Sequence, residues 1–209
     1  MKAETSNIIG LFGGTFNPPH IGHVKAAKAF REQICGDGLI VMPSHKPPHK
    51  SIEDGSPTAT QRLELCALAF GELGEISDYE ITREAVSYTY DTVKHLGTLY
   101  PGKKISLYVG TDMLFYFEKW YKFEWLLENV TLAVASRTSH MTDELRTECE
   151  RLKNRYGSDI ILLELEPEVV SSTEIRDAIK NGGEAVKYLP AAVYDYIKKN
   201  GLYGLNPKG

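Results

Sequence analysis

Nowhere in this chain of 209 residues do about 18 apolar residues run together, so no membrane-spanning helix is expected. The first residues, MKAETSNIIGLFGG, carry one lysine and no long apolar stretch, which argues against a secretion signal. Cysteine is scarce. Cys35, Cys66 and Cys149 form an odd, widely spaced set without a CxxC pair, which argues against a disulfide framework or a zinc site and suits reduced thiols in the cytoplasm. A basic excess is missing as well. With 24 Lys and Arg against 28 Asp and Glu the formal net charge is -4, so no broad nucleic-acid surface is expected and any phosphate must be met locally. No Pro/Gly/Ser-rich linker, repeat or low-complexity block interrupts the chain, so residues 1–209 are expected to form one domain, with 205–209 a loose tail.

What is present is an ordinary globular balance: 42% hydrophobic and 25% charged residues, enough to bury a real core. Short apolar runs at Ile8–Phe12, Leu39–Met42, Ile76–Ile81, Ile105–Val109, Thr131–Ala135 and Ile160–Leu165 read as strands. Amphipathic stretches at Gly22–Gln33, Thr60–Leu73, Tyr90–Tyr100, Asp143–Tyr156, Ser172–Asn181 and Ala191–Asn200 read as helices. Strands that alternate with helices need crossovers, which predicts a Rossmann-like, doubly wound, largely parallel α/β sheet covered on both faces, with a C-terminal helical segment. Ser171-Ser172-Thr173-Glu174 supplies a capping-box start for the first of the last two helices, and Gly182-Gly183 supplies its stop.

The segment Gly13-Gly14-Thr15-Phe16-Asn17-Pro18-Pro19-His20-Ile21-Gly22-His23 leaves the first strand and enters the first helix. Physically it is an anion site. Glycines let backbone N–H groups turn sharply toward a phosphate, and the helix start adds unpaired donors and the positive end of the dipole. If the helix begins near Pro19, the imidazoles of His20 and His23, three residues apart, share one face. Metal ligation lacks a third local ligand, and ordinary turn histidines are the plain alternative. Gly10, Gly13 and Gly14 do not fit G-x-G-x-x-G. The stretch Gly97–Lys104 imitates a P-loop, but it has Lys where Ser or Thr belongs and precedes a strand.

The GGTFNPPHIGH run resembles the T/HxGH signature of the adenylyltransferase superfamily, and Val170-Ser171-Ser172-Thr173-Glu174-Ile175-Arg176 resembles its second signature, ISSTxIR. Pro43 to Lys50 (PSHKPPHK), Ser87 to Thr92 (SYTYDT), Gly110-Thr111-Asp112, Trp120-Tyr121 and Tyr188-Leu189-Pro190 are similar to the bacterial nicotinate-nucleotide adenylyltransferases, so the likeness spans nearly the whole chain. Departures are small: Asn17 stands where Asp is frequent, expected in a turn hydrogen bond, and Val170 stands where Ile is usual.

The resemblance implies transfer of AMP from ATP to nicotinate mononucleotide, with pyrophosphate leaving and Mg2+ accompanying the ATP. It assigns charge stabilisation to His20, His23 and Arg176. Gly13, Gly14, Thr15, Phe16, Ser172 and Thr173 fall to the phosphates, and Lys46, His49 and Lys50 to a basic flap over them. Gly110 and Asp112 fall to the ATP end, where Asp112 could hold a ribose hydroxyl or, more plainly, cap a helix. Trp120 is assigned to stack on the pyridine ring, with Tyr121 and the backbone at Thr89 near the carboxylate. A solvated loop for Lys46 to Lys50 and core packing for Trp120 are the plain alternatives. The partners implied are small molecules only; whether the chain is a monomer or a homo-oligomer, and whether it prefers the acid to the amide, stays open.

Overall fold

Six apolar runs lie side by side as parallel strands, β1 (Ile8–Gly14), β2 (Gly38–Pro43), β3 (Glu75–Ile76), β4 (Lys104–Gly110), β5 (Val130–Ala135) and β6 (Asp159–Leu163). The computed structural model describes residues 7–48, 55–135, 143–166 and 170–205. Helices α1 (Ile21–Gln33), α2 (Ala59–Phe70), α3 (Tyr79–Thr82), α4 (Thr89–Leu99), α5 (Thr111–Phe115), α6 (Phe123–Asn129), α7 (Asp143–Tyr156), α8 (Ser172–Asn181) and α9 (Ala191–Lys199) connect and cover them. The sheet order is β3-β2-β1-β4-β5-β6, so the winding direction reverses between β1 and β4. At such a reversal the connections leave to opposite faces and open a crevice at the carboxyl ends of the strands. The doubly wound expectation holds.

Alternation along each strand divides the core. Leu39 and Val41 face a layer built with Ala27, Phe30 and Phe70 of α1 and α2, whereas Ile40 and Met42 face Val93, Leu126 and Leu152 of α4, α6 and α7. A third cluster joins Ile175, Ile179, Val193, Ile197, Leu202 and Tyr203 to Leu65 of α2, which docks the C-terminal helices beside the first layer.

Two expectations need correction. The strand read over Ile76–Ile81 ends at Ile76: Ser77 still donates its N–H to Val41 O at 2.9 Å, but the Ser77 hydroxyl then accepts the Tyr79 N–H and the chain turns into α3. Ser and Asp at 77 and 78 offer the backbone local partners that compete with a sheet ladder, and the strand is an edge strand. Residues 111–129, to which no element was assigned, hold α5, a 3-10 turn at Phe117–Lys119 and α6. Their aromatics crowd every face and leave no single period to read. Residues 206–209 of the expected tail lie outside the described residues, while Leu205 packs partly buried on the third cluster.

Candidate active site

The loop after β1 is bent by Phe16, whose φ is +49°, and contains a cis Asn17-Pro18 peptide. The glycines therefore act through clearance and not through left-handed backbone. A side chain on Gly14 would lie 2.9 Å from the Phe16 ring, whereas the space above Gly13 is open. Phe16 itself points inward, 3% exposed, against Phe12, Phe70 and the edge of His23, so only its backbone can serve a phosphate.

Helix α1 starts at Ile21, and His20 is its N-cap. The His23 N–H donates to His20 Nδ1 at 3.4 Å, and the His20 N–H donates to His23 Nδ1 at 3.3 Å. This is a capping box made of two imidazoles, with ring centroids 3.7 Å apart. Since each Nδ1 accepts, a neutral ring carries its proton on Nε2, at the opposite edge. Both side chains thus share one end of the helix, as the spacing predicts.

The second motif arrives from 154 and 159 residues away. The Ser172 hydroxyl donates to Pro18 O at 2.9 Å, and Arg176 Nη1 donates to Asn17 O at 3.0 Å. Its helix is built for that approach: Ser171 Oγ accepts the Glu174 N–H, Glu174 bonds back to the Ser171 N–H at 2.7 Å, and Gly182 (φ +71°) closes the other end. The Ser171 hydroxyl and N–H, with a smaller pull from His20, hold the Glu174 carboxyl below its ordinary range.

Asn17 makes no local turn bond of the expected kind. Its Oδ1 accepts the Tyr203 hydroxyl at 2.7 Å and its Nδ2 donates to Ser56 Oγ at 3.0 Å, so the loop is pinned by the C-terminal segment and by the lead into α2. Beneath it, Arg62 of α2 is 1% exposed and donates to Thr15 O (2.8 Å), Ser44 O (2.6 Å) and His45 O (3.0 Å). Burial draws its pKa down, yet a guanidinium stays charged, and three carbonyls replace part of its hydration. Sequence reading missed Arg62, Ser56 and Tyr203. One signal was available: Arg62 stands in register with Leu65, Cys66 and Phe70 on the buried stripe of α2, where a charge is unexpected without partners.

At the carboxyl end of β4, Gly110 is the N-cap of α5, which places Asp112 in its exposed first turn. The plain reading of Asp112 as the cap is thereby corrected. Thr111 anchors the turn by donating to Ala135 O at 3.0 Å. Trp120 stacks on Phe117 at 4.8 Å, its buried indole N–H finding no hydrogen-bond partner among the described residues, and Tyr121, 49% exposed, lies 4.9 Å from Tyr88 and 5.6 Å from Tyr90. The Trp120-Tyr121 pair and the start of α4 at Thr89 are therefore neighbours. Lys46 is exposed and bridges Val86; His49 and Lys50 lie outside the described residues.

A family model described as cytidylyltransferase-like matches residues 11–178. A probable nicotinate-nucleotide adenylyltransferase of Carboxydothermus hydrogenoformans is 36% identical over 198 residues, 93% of this chain and 97% of the relative. One of Clostridium tetani is 34% identical over 194 residues, 92% of this chain and 97% of the relative. The Plasmodium falciparum nicotinic acid mononucleotide adenylyltransferase, solved in complex with NaAD, shares the fold with a TM-score of 0.74 at 19% identity, covering 96% of this chain and 99% of that one.

Proposed function

The chain belongs to the nicotinate-nucleotide adenylyltransferases within the cytidylyltransferase-like family, and from that premise we propose that it transfers AMP from ATP to nicotinate mononucleotide, forming deamido-NAD and pyrophosphate in NAD biosynthesis. A phosphate oxygen of the mononucleotide forms a bond to the α-phosphorus of ATP. The bond to the β-phosphate bridge breaks, and its electron pair leaves with pyrophosphate. The attacking oxygen is already anionic, so no protein nucleophile or base is required; the protein aligns the two phosphates and stabilises charge as it moves to the leaving group.

The observation that carries this reading is the junction of the two motifs, with Ser172 and Arg176 bonded to the Asn17-Pro18 carbonyls one step from the imidazole cap. In this reading Nε2–H donors of His20 and His23 and the Arg176 fork meet the triphosphate, assisted by Thr15, Ser172, Thr173 and the N–H groups of Gly13, Gly14 and Phe16. Lys46, His49 and Lys50 are assigned to the phosphates as well. Gly110 and Asp112 take the adenosine side at the sheet reversal. Trp120 stacks on the pyridine, while Tyr121 and the start of α4 at Thr89, which has no side-chain cap, take its carboxylate.

Among the described residues no three His, Cys, Asp or Glu side chains are grouped to hold a metal. Mg2+ would come with ATP, needing no protein cage, and would neutralise phosphate charge. Residues 1–209 act as one unit, and three unpaired, buried cysteines suit a cytoplasmic setting. Among the described residues no helix is long and apolar enough to cross a membrane.

Pyrophosphate release from ATP and Mg2+ should require nicotinate mononucleotide, with deamido-NAD identified by mass spectrometry. Turnover only with phosphopantetheine, or only with CTP, would assign the chain another acceptor or another nucleotide. Side-by-side kcat/KM values for the nicotinate and nicotinamide mononucleotides would set the acid-against-amide preference.

A further inference from the structure

Glu80 is a buried carboxyl to which the reaction above gives no task. It lies on α3, 8% exposed, and reaches α4, where its Oε1 accepts the Thr92 hydroxyl at 2.5 Å. The Ser87 hydroxyl also favours its charged form. Ser87 and Thr92 flank the turn through Tyr88 and Thr89 that opens α4, so the groups on both sides of that turn act on one carboxyl. Ser87 carries the connection further: its Oγ accepts the His45 N–H at 3.0 Å and its own N–H donates to Lys46 O at 3.0 Å. At the same residue, His45 O accepts from Arg62, which also holds Thr15 O of the loop after β1.

The Thr92 hydroxyl also reaches Tyr88 O at 3.4 Å, so the group that Glu80 holds is tied directly to the turn. Tyr88 supplies no side-chain cap to α4. Thr92 and Ser87 are themselves buried, so the bonds their hydroxyls make are strong and costly to lose. Burial pushes the Glu80 carboxyl up from its ordinary range, opposed by the Thr92 and Ser87 hydroxyls and by Arg83, with Asp91 adding to the upward push.

We propose that Glu80 is a positioning residue for the mononucleotide, holding Ser87 and Thr92 so that the opening turn of α4 and Tyr121 against it keep the shape that receives the pyridine carboxylate. The proposal rests on the assignment of that turn to nicotinate mononucleotide. Glu80 touches no substrate; it acts through Ser87, Tyr88 and Thr89.

Steady-state kinetics of Glu80→Ala and Glu80→Gln test it, with mononucleotide binding in the absence of ATP followed by intrinsic tryptophan fluorescence. Glu80→Ala should raise KM and Kd for nicotinate mononucleotide by at least ~10-fold while KM for ATP moves by less than about twofold, the split expected when binding of one substrate alone is lost. Glu80→Gln keeps an acceptor oxygen for Thr92 and an amide for Ser87, and should return the mononucleotide constants to within about threefold of the parent. Should Glu80→Ala fail to give a cooperative unfolding transition, Ser87→Ala replaces it, with the same one-sided split expected at smaller size. Equal changes in both KM values, or unchanged mononucleotide binding in a folded Ala variant, would overturn the proposal. Failure of the functional reading is distinct, since the parent protein would then give no turnover with nicotinate mononucleotide.

Discussion

An imidazole is a poor choice for a helix N-cap, where Ser, Thr, Asp and Asn serve better, and here two of them cap one another. The arrangement makes sense if the ring is needed for its far edge: fixing Nδ1 on the backbone dictates where Nε2 and its proton lie. Replacing His20 or His23 with Ala should therefore lower kcat by ~100-fold or more, the loss typical of a charge-stabilising donor in the transition state. Pyrophosphate release under saturating substrates is the measurement, and near-parental kcat in either variant would return that histidine to a purely structural part. A second residue-scale consequence concerns Asn17, which is 8% exposed and receives the Tyr203 hydroxyl. Tyr203→Phe leaves Asn17 Oδ1 buried without that donor and should destabilise the fold by about 1–3 kcal/mol, read from the urea midpoint at constant m. An unshifted midpoint would mean that another donor, or water, takes over the amide.

At the scale of elements, α8 is an instrument of delivery: its capping box and αL stop fix its ends, and its first two turns bring Ser172 and Arg176 to the loop after β1. Ser171→Ala removes the cap and should cost ~1 kcal/mol at neutral pH. Part of that loss depends on pH. Since the folded protein holds Glu174 below its ordinary pKa, its contribution is present above the ordinary carboxylate range and disappears as pH falls through the lowered value. The gap between parent and Ser171→Ala should accordingly narrow in acid. Chemical unfolding at neutral pH and at a pH below the carboxylate range checks this; a constant gap would detach Glu174 from the cap. A comparable scaffold serves the other half of the site. Glu118, next to the Phe117 on which Trp120 stacks, is bound by Arg151 at 2.6 Å and by the Tyr156 hydroxyl at 2.5 Å, which ties that short 3-10 turn to α7.

For the molecule as a whole, the proposed reading puts the phosphates beside α1, α2 and α8 and the pyridine beside α4 and residues 111–125, about the sheet reversal between β1 and β4. The two sides should be separable in kinetics. Trp120→Ala should raise KM for the mononucleotide by roughly 10-fold or more with little change for ATP, and parallel initial-rate series in each substrate decide it; a matching rise in both would place Trp120 in the core beside Phe117. Much of this plan could be read from order along the chain, because strand and helix periods are local properties and because GGTFNPPHIGH and SSTEIR each carry their chemistry within a few residues. The shortness of the edge strand, read as running on to Ile81, and the short helices between Gly110 and Val130 escaped such reading, since a two-residue strand and helices of five to seven residues are too short to show a period. Sequence by itself determined the layered α/β plan, the imidazole pair at the first helix and the capped helix that carries Arg176. Only the tertiary structure decided that Arg62 lies beneath the phosphate loop, that Tyr203 reaches back 186 residues to Asn17, and that Glu80 holds the start of α4. These are bonds between buried polar groups distant in sequence, and no local pattern announces which donor will meet which acceptor until packing has brought them together.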